Sequence, residues 1–219
     1  MKIKHYTFFS DSHRICLKYF LNTFPFEDNI DLTIRHIPQE CESAEYESDG
    51  FDKSMIRKVE FINQSFCELN DNDILIFTDV DVIFLKPYKD LFLKELGDSD
   101  IIFQSDTGTV CMGVFCCRVS NKTRFFFKEL LDLLNKDAST LKKFKHDQQA
   151  ANLMLTSKNY NLDVKLFSHK VFNCGFLGKL YKGEDEVKFP NDMVLLHANF
   201  TIGLDNKIKL IKMALDQLK

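Results

Sequence analysis

The order of apolar and polar positions alternates between a period of two and a period near 3.6 along this chain. Ile3 to Phe9 is dense in aromatic and β-branched residues and predicts a strand. Ser10-Asp11-Ser12 then offers N-cap chemistry for a helix to about Asn22, with Cys16, Leu17, Phe20 and Leu21 on its apolar stripe. Asp31 to Ile37 alternates as a second strand. From about Asp52 to Leu69, helical spacing of Met55, Ile56, Val59, Ile62 and Phe66 predicts an amphipathic helix. Asp73-Ile-Leu-Ile-Phe-Thr-Asp79 is a nearly continuous apolar run, the pattern of a strand covered on both faces. Asp100–Gln104, Val110–Arg118, Asp163–Phe167 and Met193–Leu196 read as further strands, and Thr123–Leu134, Asp147–Thr156 and Asp205–Leu218 as helices. Alternating strands and helices predict an α/β three-layer sandwich with a mainly parallel central sheet. The Val110–Arg118 segment is expected to pair antiparallel at one edge.

Composition narrows the function classes. The 219 residues carry no repeats, low-complexity tracts or linker-like stretches, so one domain spanning 1–219 is expected. Hydrophobic and charged shares of 45% and 28% are ordinary for a globular protein. A formal net charge of -3, with lysines and acids interspersed, gives no nucleic-acid footprint; the one dense basic run is Lys142, Lys143, Lys145 and His146. The seven cysteines include no C-x-x-C pair, which argues against structural zinc and for buried, reduced thiols. The start lacks a signal-peptide apolar region and no stretch reaches membrane-spanning length, so the expected location is cytoplasmic. Plentiful Lys, Asn, Asp and Ile beside 22 Phe and no Trp hint at an AT-rich coding source.

The chemistry concentrates where the buried run ends. Asp79 and Asp81 stand two apart after Ile74–Thr78, and side chains two apart in extended chain point the same way. In open α/β sheets, ligands bind beyond the carboxyl ends of the strands. Two hard oxygen donors at that place suit Mg²⁺ or Mn²⁺, which keep waters and bridge to phosphate. Near the C-terminus, Met193–Leu196 runs into His197 in the same way, and His197 is a candidate for the same cation. Gly203 would let backbone approach phosphate, and Lys207 would neutralise it. Lys53 and Arg57 share a helix face one turn apart, within reach of a base or diphosphate. Asn173–Gly178 is a glycine-marked loop suited to an acceptor cleft.

The segment Phe77 to Pro87, with Thr78-Asp-Val-Asp81 at its heart, resembles the DxD signature of GT-A-fold glycosyltransferases. The resemblance extends to the first strand, the Asp147-Gln148 helix start, the Asn173 segment and His197. It is closest in look to compact nucleotide-diphospho-sugar transferases, including small ones of large DNA viruses and microbes. It implies a GT-A three-layer sandwich and a metal-dependent transfer of sugar from a nucleoside diphosphate, a UDP-sugar, to a hydroxyl of a glycan or other acceptor. On this resemblance Asp79 and Asp81 contact ribose and metal, His197 supplies a third ligand, and Thr7, Phe8 and Ser10 cradle the base. Gln104 and Asp106 line the sugar pocket, Gln148 binds donor or acceptor, and Asp147, or Asp106, is the candidate catalytic base. The spacing after His197 departs from the H-x-x-G-x-x-K-P form of glycogenin-like enzymes. Inverting and retaining courses both remain open.

Two other folds place acids after a strand. Haloacid-dehalogenase phosphatases want Thr or Val at the fourth position after the first Asp, where this chain has Ile83, and a motif near the N-terminus. An NDP-sugar-forming nucleotidyltransferase wants a glycine-rich loop after the first strand, and Thr7 to Arg14 holds no glycine. A non-catalytic sugar- or nucleotide-binding module is the third alternative; the intact Asp79, Asp81 and His197 speak for an enzyme.

Overall fold

The computed structural model describes residues 1–28, 30–41, 50–136, 146–157, 160–178, 180–183 and 186–217. Lys142, Lys143, Lys145 and Leu218 lie outside them. The elements are β1 (Ile3–Phe9), α1 (Arg14–Thr23), β2 (Asp31–His36), α2 (Phe51–Phe66), β3 (Ile74–Thr78), β4 (Val82–Phe84) and α3 (Lys89–Leu96). There follow β5 (Ile101–Asp106), β6 (Thr109–Arg118), α4 (Asn121–Asn135), α5 (Asp147–Thr156), β7 (Val164–Leu166), β8 (Val171–Phe172), β9 (Leu195–His197) and α6 (Leu204–Gln217). The main sheet has the order β2-β1-β3-β6-β5-β7, and a smaller sheet has the order β4-β9-β8. Among the described residues no helix is long and apolar enough to cross a membrane.

The period-two rule distributes the core. All five residues of β3 are buried, as the continuous run predicts. Leu75 and Phe77 pack toward α2, α4 and α5, with Phe61, Ile62, Phe127, Leu130 and Ala151. Ile74 and Ile76 face the other way, into Phe20 of α1, Phe92 of α3, and Val82 and Leu195 of the small sheet. Beyond that sheet, α6 closes a third cluster through Leu210, Ile211 and Ala214 against Ile83 and Leu196. The chain is thus a three-layer α/β/α sandwich. Phenylalanine does much of the filling: Phe8, Phe77, Phe115 and Phe127 stack in sequence, at centroid distances of 6.1, 5.4 and 5.0 Å.

The expectation of an antiparallel edge is half corrected. β6 does run antiparallel, but it lies inside the sheet between β3 and β5 rather than at an edge. Val110 to Cys117 are buried without interruption, which only an interior position covered on both faces allows. It gets there by a tight hairpin: Thr107 and Gly108 both have positive φ (47° and 94°), and Asp106 faces Thr109 across the turn. A two-residue loop of that kind matches the twist of paired strands. The remaining main-sheet neighbours β2-β1, β1-β3 and β5-β7 are parallel.

Phe115 touches three aromatic neighbours, Phe77, Phe103 and Phe127, and is fully buried. Phe115→Ala should therefore cost about 3–5 kcal/mol in urea denaturation. Phe26, 62% exposed, is the control: Phe26→Ala should cost less than about 1 kcal/mol.

Candidate functional site

The parallel strands β1 and β3 end side by side, so the turn after Phe9 and the Asp79-Val80-Asp81 segment emerge at one rim of the sheet. The small sheet brings in the third partner. β4 pairs antiparallel with β9 so that Val82 faces His197, and the Ala198 amide donates to the Asp81 carbonyl at 2.9 Å. His197 Nε2 thereby lies 3.3 Å from Asp81 Oδ1 and 3.8 Å from Asp79 Oδ2. Ligand atoms of Asp79, Asp81 and His197 all fall within 4.8 Å of one another. Two carboxylates and an imidazole form a donor set that Mn²⁺ or Mg²⁺ accepts, so the residues fit a divalent cation.

The floor of this cluster is a glycine. Between Phe103 and Gln104 the pairing of β5 jumps from Phe115 to Cys111, leaving Met112, Gly113 and Val114 as a bulge in β6. The Gly113 carbonyl accepts from the Asp79 amide at 2.7 Å. A Cβ on Gly113 would stand 2.2 Å from His197 Cε1 and 2.6 Å from Asp79 Oδ2. Only a residue without a side chain lets the acids and the imidazole converge here.

Two lysines, one buried and one half-buried, balance the acids. Lys207, from the first turn of α6, contacts Asp81 Oδ2. Lys58, from α2, sits 3.1 Å from Asp79 Oδ1 and 3.1 Å from Asp147 Oδ2, with its side chain only 3% exposed. Burial opposes ionisation of Asp81, yet Lys207 and His197 outweigh it and hold the carboxyl well below the usual carboxylate range. Burial likewise opposes a charged His197, but Asp81 and Cys111 push its pKa up to about 10. For Asp79, burial prevails over Lys58 and His197, and its pKa is raised. For Lys58, burial is outweighed by Asp147 and Asp79, and the ammonium is strengthened.

The remaining expected site residues divide into near and far. Asp147 opens α5, its Oδ1 accepts from the Gln148 amide at 2.9 Å, and its acidic charge complements the helix N-terminus. Gln148 Nε2 donates to Asp106 Oδ2, joining α5 to the end of β5. Gly203 has φ +78° with open space where a Cβ would be, and its carbonyl accepts from the Lys207 amide at 3.2 Å. Thr7 is fully buried, its Oγ1 unpartnered among the described atoms. Phe8 is half-buried on Phe77, and Ser10 Oγ lies 3.3 Å from Ser12 Oγ. Gln104 is wholly buried, 2.7 Å behind His197 Nδ1. Lys53 and Arg57 point to solvent, where Arg57 pairs with Glu40 at 3.3 Å and Glu60 at 3.0 Å.

Two neighbours of the cluster escaped the reading of the sequence. Lys58 is one residue from Arg57, but about a third of a turn on, on the buried side of α2. It lies three after Met55 and four before Ile62, so a lysine inside an apolar stripe was the available signal. His13, at the start of α1, sits close enough to Lys207 that burial and that ammonium lower its pKa. Nothing in its spacing marks it. Directly beneath Thr78, His5 is enclosed by Phe20, Phe24, Phe84 and Tyr88, bonded to Thr78 Oγ1 at 2.8 Å and Tyr88 Oη at 2.5 Å. Burial lowers its pKa to about 3, so this imidazole is a neutral strut.

Comparisons with known proteins show the family and the fold. The sequence profile of the nucleotide-diphospho-sugar transferases matches residues 11–211. The fold resembles a glycosyltransferase involved in glycosylation of the major capsid of PBCV-1, with a TM-score of 0.67 and 12% identity over 97% of this chain and 100% of that one. It also resembles the glycosyltransferase GlyE of Streptococcus pneumoniae (TM-score 0.58, 13% identity, 98% of this chain, 60% of that one). A third is the galactosyltransferase LgtC, solved with donor and acceptor sugar analogues (TM-score 0.51, 12% identity, 89% and 86%). No curated protein matches the chain in sequence. With the profile covering most of its length, the chain belongs to the nucleotide-diphospho-sugar transferase family and is a glycosyltransferase of GT-A fold.

Proposed function

We propose that this glycosyltransferase moves a sugar from a nucleoside diphosphate, a UDP-sugar, to a hydroxyl of a glycan or other acceptor, with Mn²⁺ or Mg²⁺ held by Asp79, Asp81 and His197. The observation that carries this reading is the convergence of those three side chains over Gly113. A bound divalent cation supplies Lewis acidity toward the departing diphosphate. Asp81 is the firmer ligand, being buried and held anionic; Asp79, 27% exposed, is also open to ribose or bound water.

The protein's own groups then divide the labour. Lys207 exchanges its contact with Asp81 for the diphosphate, and the left-handed Gly203 lets the start of α6 approach the same phosphates. Phe8 and Ser10 border the base at the end of β1, whereas Thr7, expected there from the resemblance, is enclosed within the fold. Lys58 keeps Asp79 and Asp147 oriented by sitting between them. Because Asp147 is tied to that ammonium, Asp106 is the freer carboxylate for taking the acceptor proton, with Gln148 holding it in place.

Asp81→Ala should reduce Mn²⁺-dependent UDP-sugar hydrolysis by about 10²-fold or more, since it deletes a buried anionic ligand. Full metal-dependent turnover in that variant would refute the assignment of Asp81. Gly113→Ala should weaken Mn²⁺ binding while leaving the far-UV circular dichroism spectrum unchanged, because its methyl group intrudes between Asp79 and His197 rather than into a core cluster. Unaltered Mn²⁺ affinity by isothermal titration would contradict the closeness of that approach.

A further inference from the structure

We propose that Gln104 is a positioning residue for the metal site, its side-chain amide clamped so that His197 keeps Nδ1 engaged and turns Nε2 toward Asp79 and Asp81. The inference rests on the reading above, in which those three residues hold the cation. Gln104 is fully buried, and both ends of its amide are engaged by the protein itself. What it touches is unusually well defined. Its Nε2 lies 3.2 Å from the carbonyl oxygens of both Val171 and Phe172. An amide nitrogen only donates and an amide oxygen only accepts. Turning the amide over would set Oε1 against two carbonyl oxygens, so the backbone of β8 dictates which end faces His197.

Oε1 therefore accepts from His197 Nδ1, at 2.7 Å. With Nδ1 carrying its hydrogen toward Gln104, Nε2 is the nitrogen presented to the acids, 3.3 Å from Asp81 Oδ1. The other group near Nδ1, Cys111 Sγ, is at 4.0 Å and a weaker partner. Gln104 stands where the pairing of β5 shifts across the β6 bulge, and β8 is paired with β9, the strand that carries His197. Three elements thus fix one imidazole. A glutamate at 104 would keep an acceptor for Nδ1 but oppose its second oxygen to the Val171 and Phe172 carbonyls, so the neutral amide is specific to this clamp.

The test is Mn²⁺ affinity in the presence of UDP, read by the electron paramagnetic resonance of free Mn²⁺ for wild type, Gln104→Met, His197→Ala and the double variant. Removing a partner of this kind is expected to weaken binding about 10–100-fold. If Gln104 acts through His197, the double variant binds no more weakly than His197→Ala alone. The imidazole-nitrogen modulation of the Mn²⁺ spin echo, present in wild type, should diminish in Gln104→Met. Gln104→Glu, close in shape, serves as the second variant should Gln104→Met fail to fold, and it should weaken Mn²⁺ in the same direction. Equal affinity in wild type and the Gln104 variants, or losses that add in the double variant, would overturn the inference. Absence of Mn²⁺ binding by the wild type itself would instead strike the metal reading, and the inference with it.

Discussion

The site depends on charge balance among groups withdrawn from water. Asp79, Asp81 and Asp147 stand at the rim of the sheet, and Asp81 and Asp147 are almost wholly buried. An unpaired carboxylate in such a place costs several kcal/mol, and removing one partner of a buried pair costs about 3–5 kcal/mol. Here Lys58 spans Asp79 and Asp147, while Lys207 and His197 share Asp81. The acids are thereby kept together in a geometry that repulsion alone would pull apart. On the proposed reading, a cation of higher charge and a diphosphate would offer new partners to both signs.

The fold serves this balance by topology. Parallel β1 and β3 deliver their turns to one rim, but they cannot supply an imidazole or a second lysine. The small sheet does so, drawing His197 beside Asp81 through the pairing of β4 with β9, and α6 follows at once with Lys207. The bulge of β6 makes room by lowering Gly113 beneath the cluster, and the shift in pairing also turns Gln104 toward His197. Glycosyltransferases with about one residue in eight in common with this chain share its fold.

Much of this was legible beforehand, for identifiable reasons. The run Ile74–Thr78 announces a doubly covered strand, and the acids after it stand at that strand's carboxyl end, the rim where such sheets generally take ligands. His197 shows the same grammar of apolar strand followed by polar end. The α5 boundaries at Asp147 and Thr156 coincide with those expected, because an acid opens the helix. Other features were hidden because they depend on tertiary contact. The interior place of β6 follows from a Thr107-Gly108 turn that the eye passes over between two apolar strands. Gln104, which the resemblance sets in the sugar pocket, is wholly buried against His197 and the backbone of β8, contacts that no spacing announces. Lys58 was concealed beside Arg57: both are basic, but only the one on the apolar stripe reaches Asp79. β4 and β8, of three and two residues, are too short to carry a periodicity.

On the proposed reading, donor and cation share one site built by Asp79, Asp81 and His197. The most direct measurement is the thermal melting of the wild-type protein with UDP and Mn²⁺ added singly and together. A ligand pair that binds only the folded state at 100 times its dissociation constant stabilises by about 2.7 kcal/mol. The account predicts a rise with both present that exceeds the sum of the separate rises. Strictly additive shifts, or none with both together, would contradict it.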